Sequence, residues 1–392
     1  MKRLIFLMSL FYLIQIYGGN PGIYDLAFGL YLKETLGLSA ERIAYIGTII
    51  LLPWTIKPAW GIIADSFPLF GSQLRNYFFL CYALAATVLF TLSSMESYTT
   101  LTLIGGIFMV SLCIAFSDVL TDKMMVIEGS ARKKTGVLQA AQWTAAGLGG
   151  AGMYYLGGIF AKRSNLGAVF RLNVLVPLTG LLATYFFIRE EKANQNEISL
   201  RKSSKALWTA ARSKQFLAVV VFIAFFRFSP TPPLLFYLRD VLKFDPEFMG
   251  TLDAIGSVAS GIGAAVFGIV CSRIYRRTLL NMTIGLSALS SFGLIFMQDA
   301  QSAVWVYSLT GFFSMIATLG ILELAARLCP AGAEGTAYAL LVSIYNLAGK
   351  PAAIIGARMY DNGVPFAALV IIGSIFTLLC WFLIPLLKLE KE

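Results

Sequence analysis

Runs of roughly 18–25 mostly apolar residues follow one another along this chain, parted by short polar breaks; such runs are long enough to cross a bilayer as helices. Backbone groups cannot be left unpaired in lipid, so the pattern predicts an all-α membrane protein. Twelve transmembrane helices are expected, near 4–30, 40–63, 77–95, 100–122, 137–160, 168–188, 214–238, 248–271, 278–297, 303–326, 336–360 and 365–387. The long polar connection separates six spans from six. The expected organisation is therefore an N-terminal six-helix bundle over 1–188, a cytoplasmic linker over 189–213 and a C-terminal six-helix bundle over 214–392. An amphipathic surface helix is expected near Ala206–Lys214. The first run is too long for a signal peptide and more spans follow at once, so it reads as a span.

Composition agrees. Of 392 residues, 58% are hydrophobic and only 13% charged, against about 25% charged in a soluble domain. The net charge of +10 makes nucleic-acid binding an unnecessary reading, because the positions of the bases give a simpler one. With the N-terminus in the cytoplasm, Arg75, Arg132, Lys133, Lys134, the linker bases, Arg273, Arg276 and Arg277 all fall on the cytoplasmic side. Both termini are then cytoplasmic. The short loops point to a cell inner (plasma) membrane, and a monomer in the lipid bilayer, with no nucleic-acid partner, is expected. Histidine is absent, and the five cysteines show no metal-ligand spacing. No metal, no other cofactor, no disulfide and no enzyme chemistry is expected, and any proton handling falls to carboxylates or tyrosine.

Charges inside the spans are costly and so carry the functional signal. Lys57 lies between Pro53-Trp54 and Pro58, in a stretch that ends at Gly61 and Asp65 and reaches Arg75 after a turn. Lys57, Asp65 and Arg75 are expected at the cytoplasmic gate. Asp118 and Asp122 are four residues apart on span 4 and share one helix face. They are either a proton-coupling pair or partners of a base such as Lys57 or Lys123. Arg227 precedes Pro230, Pro232 and Pro233, a cation beside a broken helix. It suits an anionic substrate or a buried ion pair. Lys350, next to Pro351 and close to Tyr345 and Asn346, is a second midplane cation for substrate contact or charge compensation. Gln139, Trp143, Tyr345 and Asn346 complete the candidate binding set; the polar members could equally join helices.

The two halves echo one another weakly. Gly61–Asp65 corresponds in position to Gly268–Arg273, and Gly136-Val137-Leu138-Gln139 to Gly335-Thr336-Ala337-Tyr338. Six plus six spans with parallel halves match a major facilitator fold.

Three separated segments also resemble the folate–biopterin transporter family: Pro53-Trp54 with Lys57-Pro58, Gly61, Asp65, Pro68, Gly71 and Arg75; Asp118-Val119-Leu120-Thr121-Asp122 with Leu138-Gln139 and Trp143; and Cys329-Pro330, Glu334-Gly335, Ala337-Tyr338-Ala339-Leu340, Ser343 and Asn346. Ser72-Gln73-Leu74-Arg75 is less basic than the family's turn. The resemblance implies a secondary active transporter of folate- or pterin-type anionic metabolites, working by alternating access and coupled to protons. Two alternatives stay open. One is transport of another solute, such as a drug, sugar, peptide fragment or S-adenosylmethionine-like metabolite; the other is an assembly factor that keeps the fold without transport.

Overall fold

The computed structural model describes residues 2–387 except 20–21, 73, 132–134, 164, 190–213, 231–232, 271–274 and 328–333. The described residues are almost wholly helical: α1 Lys2–Gly18, α2 Asp25–Leu30, α3 Ala40–Thr55, α4 Lys57–Ser66, α5 Arg75–Ser93, α6 Thr100–Ala131, α7 Thr135–Arg163, α8 Leu166–Asn173, α9 Leu175–Phe187, α10 Lys214–Arg227, α11 Leu234–Phe236, α12 Pro246–Val270, α13 Arg276–Gly293, α14 Ala300–Arg327, α15 Glu334–Asp361 and α16 Phe366–Leu379. Among them, nine stretches are long and apolar enough to span a membrane. Large apolar side chains such as Leu101, Leu148 and Phe382 are exposed, as suits a surface whose solvent is lipid.

Several expected spans are broken, each for a local reason. Span 1 divides after Gly18, and α2 restarts at Asp25, whose amide bonds to the Gly22 carbonyl. Span 2 divides at Ile56, between Pro53 and Pro58; a proline lacks the amide donor and its ring crowds the carbonyl four residues before. The Trp60 indole N–H crosses this break and donates to the Pro53 carbonyl at 2.8 Å. Gly61 and Asp65 lie inside α4. The turn follows at Phe67–Ser72, where Phe70 and Gly71 take positive φ. Span 7 ends as a regular helix at Arg227, ahead of Pro230 and Pro233. The linker beyond Arg189 and the expected surface helix lie outside the described residues, except for that helix's final Lys214.

An internal repeat that the sequence reading missed lies after spans 1 and 7. Tyr31–Thr35 and Tyr237–Val241 each form one π-helical turn. In both, the amide five residues on closes onto the tyrosine carbonyl, Leu36 to Tyr31 at 3.0 Å and Leu242 to Tyr237 at 3.1 Å. In both, a positive-φ residue follows, Gly37 or Lys243, and then a capped helix start. Ser39 Oγ accepts from the Arg42 amide, and Asp245 Oδ1 from the Phe248 amide. Tyr-Leu-Lys-Glu and Tyr-Leu-Arg-Asp are the sequence signal.

The contacts divide the chain into two units. One comprises Met1–Leu38, Ile46–Leu200 and Asp245–Ala254; the other comprises Ser39–Tyr45, Arg201–Phe244 and Ile255–Glu392. The first packs Phe11, Phe78 and Tyr82 as a stack, with Phe11 and Phe78 centroids 4.8 Å apart, all fully buried. The second is built on Phe216, Phe222, Ile284, Ile321 and Leu341. Aromatic pairs of this kind add about 0.5–1.5 kcal/mol beyond their burial.

Bare backbone contact sets how closely α12 and α14 approach. A Cβ at Gly263 would lie 2.5 Å from the Phe312 carbonyl oxygen, whereas one at Gly285 meets nothing within 4 Å. Gly263→Ala is expected to cost about 1–3 kcal/mol by overpacking and to lower the thermal midpoint in detergent. Gly285→Ala should leave the midpoint unchanged or raise it; equal effects of the two changes would contradict this account of the packing.

Candidate functional site

The first unit holds a buried polar cluster. The break at Ile56 makes Lys57 the first residue of α4 and turns its side chain toward α6. There its ammonium donates to Asp118 Oδ2, and it lies 4.9 Å from the centre of the Trp54 ring. The Lys57 side chain is 24% exposed and that of Asp118 only 5%, so the carboxylate depends on this one cation for its charge balance. One turn further along the same face of α6, Asp122 accepts from the Tyr12 hydroxyl of α1 at 3.0 Å. Gln142 of α7 stands beside Asp122 and is fully buried, with its Nε2 3.9 Å from the Met8 sulfur. The cluster is thus a neutral pair, Lys57 with Asp118, next to a further carboxylate held by a phenol.

The structure shows where both carboxylates lie. Asp118 is the partner of Lys57, and the four-residue spacing brings Asp122 into the same cluster. Tyr12 and Gln142 were not in the candidate set; a tyrosine and a glutamine in apolar helices carry no distinctive spacing, so only tertiary contact reveals them.

The second unit holds a separate cationic site. Arg227 ends α10, and its Nε donates to the Tyr345 carbonyl at 3.3 Å while the guanidinium carbon lies 4.4 Å from the centre of the Tyr345 ring. The Tyr345 hydroxyl meets Thr318 Oγ1 at 3.2 Å, which fixes the ring. Gly349 lets the guanidinium lie against α15, because a Cβ there would be 3.3 Å from Nη2. Among the described residues the two Nη nitrogens have no hydrogen-bond partner, and the side chain is part-exposed. A planar fork with unused donors is suited to a carboxylate. Beyond Arg227 the chain is anchored where Ser229 Oγ donates to the Gly373 carbonyl at 2.9 Å.

The remaining candidates are distributed less tightly. Asn346 and Lys350 are part-buried on α15, and Lys350 has an interaction of its own. Trp143 is 47% exposed, and no described contact joins it to the Asp122 cluster. Arg75 begins α5, its guanidinium 5.5 Å from the Phe79 ring. Asp65 and Gln139 lie on α4 and α7, but their side chains fall outside the described residues. No group of three metal-ligating side chains occurs among the described residues, and Cys81, Cys113 and Cys380 are free and buried.

The model of the BT1 family matches residues 18–390. The folate-biopterin transporter of Synechocystis sp. is 30% identical over 390 residues, covering 92% of this chain and 77% of that protein. Folate transporter 1 of Plasmodium falciparum is 26% identical over 356 residues, with 86% and 69% covered. Probable folate-biopterin transporter 4 of Arabidopsis thaliana is 23% identical, with 97% and 95% covered. Among solved structures, the nucleoside transporter NupG aligns with a TM-score of 0.73 at 13% identity, covering 98% of both chains. A D-xylose-proton symporter aligns at 0.69 and 14% identity, covering 100% of this chain and 99% of that one. These likenesses give the fold alone, the expected major facilitator fold.

Removing Lys57 alone strands a buried carboxylate, which costs about 3–5 kcal/mol, whereas removing both charges is far less harmful. Lys57→Ala is expected to lower the thermal midpoint strongly, and Lys57→Ala with Asp118→Ala to recover most of the loss. If the double variant proves less stable than the single one, the ion pair is not what the carboxylate depends on.

Proposed function

The chain belongs to the BT1 family, a family of membrane transporters, and from that premise we propose that it carries folate- or pterin-type anions by alternating access of two six-helix halves, coupled to protons. The observation that carries the substrate reading is Arg227: a guanidinium fixed over the Tyr345 ring, with both Nη nitrogens unpartnered among the described residues. That arrangement offers two parallel donors to a carboxylate such as the glutamate tail of a folate. Tyr345, Asn346 and Lys350 on α15 are the neighbouring candidates in sequence, and Gln139 and Trp143 on α7 are kept as candidates of the first unit. The printed names of the Synechocystis and Plasmodium relatives support the same class of substrate.

For the coupling ion the reading rests on Asp122. Asp118 is already paired with Lys57. Asp122 accepts from a phenol that remains neutral, and of the two carboxylates it is the one whose charge a proton can cancel without breaking an ion pair. Lys57 is the charge partner of Asp118 and, with Asp65 and Arg75, stays a gate candidate. Basic residues on the side of the linker support cytoplasmic termini.

Uptake of labelled folate into proteoliposomes, with and without an inward proton gradient, tests both parts. The expected outcome is gradient-stimulated uptake that Arg227→Ala lowers at least about 100-fold and Arg227→Lys restores only in part, because a point charge replaces a bidentate fork. Asp122→Asn should leave folate exchange down its own gradient intact and abolish stimulation by protons. Uptake of a chemically unrelated solute alone would overturn the substrate reading, and unchanged stimulation in Asp122→Asn would overturn the coupling role.

A further inference from the structure

Three fully buried polar side chains of the first unit, Tyr24, Ser111 and Asn173, have no hydrogen-bond partner among the described residues. Both ends of the Asn173 amide are left this way, Nδ2 as well as Oδ1, together with the Tyr24 hydroxyl and Ser111 Oγ. Buried polar groups are almost always paired, because a dry one forfeits the hydrogen bonds that water gave it in the unfolded chain. Ser111 also departs from comparable residues. Ser117, Thr121 and Thr184 are buried in the same unit, and each donates back to a carbonyl of its own helix at 2.7–2.8 Å. Ser111 makes no such bond.

The packing around α1 places the three at one level. Tyr12 meets Asp122, and further along the chain Gly18 and Gly19 lie against Ile114, where a Cβ on either would be 3.5 or 3.6 Å from that side chain. α1 and α6 therefore run antiparallel. Ser111, one turn from Ile114 on the same face, lies beyond Gly19 and level with the break in span 1. α8 and α9 show the same register. Val176 lies against Gly18, where a Cβ would be 3.2 Å away, and the Phe170 ring is 5.8 Å from that of Tyr24. Asn173 stands three residues from each on the same face, so it too is level with the stretch between Gly18 and Tyr24. Ile114, fully buried, stands between Ser111 and Asp118 on this face of α6, so the group is distinct from the Lys57 cluster.

The chemistry of these atoms selects what they can bind. A cation would satisfy the oxygens and leave the Asn173 Nδ2 donors unpaired, and an anion would do the reverse. Complete burial excludes a solute or a lipid headgroup. Water is small enough, both donates and accepts, and when buried makes about three hydrogen bonds.

We infer that Tyr24, Ser111 and Asn173 bind ordered water at the break in span 1, a buried hydration site inside the first unit. Non-helical backbone at membrane depth is tolerated where protein or water surrounds it, and this site puts water there. The inference depends neither on the solute nor on the coupling ion.

Radiolytic labelling of the full chain in lipid nanodiscs reads the site directly, because hydroxyl radicals form from water lying beside a side chain. Phe11 and Phe78 are equally buried but stacked on one another, and they serve as the dry reference. Tyr24 and Phe170 are expected to be labelled at least about tenfold faster than these two, as residues beside a buried water. Two substitutions of matched shape give a second reading. Tyr24→Phe removes only the hydroxyl, and Asn173→Leu nearly keeps the volume. With water bound, each lowers the thermal midpoint, and the double variant loses less than the sum because both groups share a partner. In a dry site each would remove an unpaired polar group and raise the midpoint. Labelling of Tyr24 as slow as that of Phe11, a midpoint raised by Tyr24→Phe, or fully additive losses would overturn the inference. If Asn173→Leu fails to fold, the labelling and Tyr24→Phe still decide it.

Discussion

No charge and no backbone donor can be left without a partner in hydrocarbon, and the rest of this structure follows from how that demand is met. Lys57 is tolerated because Asp118 stands within reach, and it reaches Asp118 because two prolines break the helix at Ile56. The break itself leaves the Pro53 carbonyl without its helical donor, and the Trp60 indole supplies one. Arg227 is placed by the same logic at the last residue of α10, where the proline-rich break follows and the Tyr345 carbonyl and ring receive the guanidinium. Structure and chemistry coincide at the breaks because only there does the backbone expose groups that side chains must satisfy.

The two clusters divide the electrostatic work. In the first unit the charges are largely balanced internally, and the one carboxylate outside the ion pair is held by a neutral phenol. In the second unit a cation keeps donors unused among the described residues. A balanced site with a spare carboxylate is suited to a proton, and an unbalanced cation to an anion. Aromatic and apolar packing fills the interior of each unit, and glycines bring helices to backbone contact.

The repeated π-helical turns after spans 1 and 7 show one local solution used twice with different surroundings. The backbone pattern of tyrosine carbonyl, positive-φ residue and capped helix start is the same. What each helix start then meets differs, Asp361 in one case and Lys162 in the other. Backbone geometry is retained because the turn demands it, while the contact side chains are free to differ as long as each orphan amide or carboxylate has a partner.

The apolar runs alone determined that the chain is helical and membrane-spanning, and they located most helix cores, because hydropathy over a span reports directly on the solvent outside it. The sequence also singled out Lys57, Asp118, Asp122 and Arg227, since charges in such runs stand out whatever their partners. It did not resolve the breaks at Gly19 and Ile56, where local turn chemistry competes with a continuous apolar signal, nor did it find Tyr12 or Gln142. The exposure of Trp143 was equally hidden, because an aromatic in an apolar helix looks the same whether it faces lipid, a cavity or a neighbour. Those outcomes belong to tertiary structure: helical periodicity says which residues share a face of one helix, but the rotation and offset between helices decide which faces meet. That is why Asp118 and Asp122 could be paired from spacing alone, whereas Lys57 with Asp118, Tyr12 with Asp122 and Asp361 with the start of α3 required the fold.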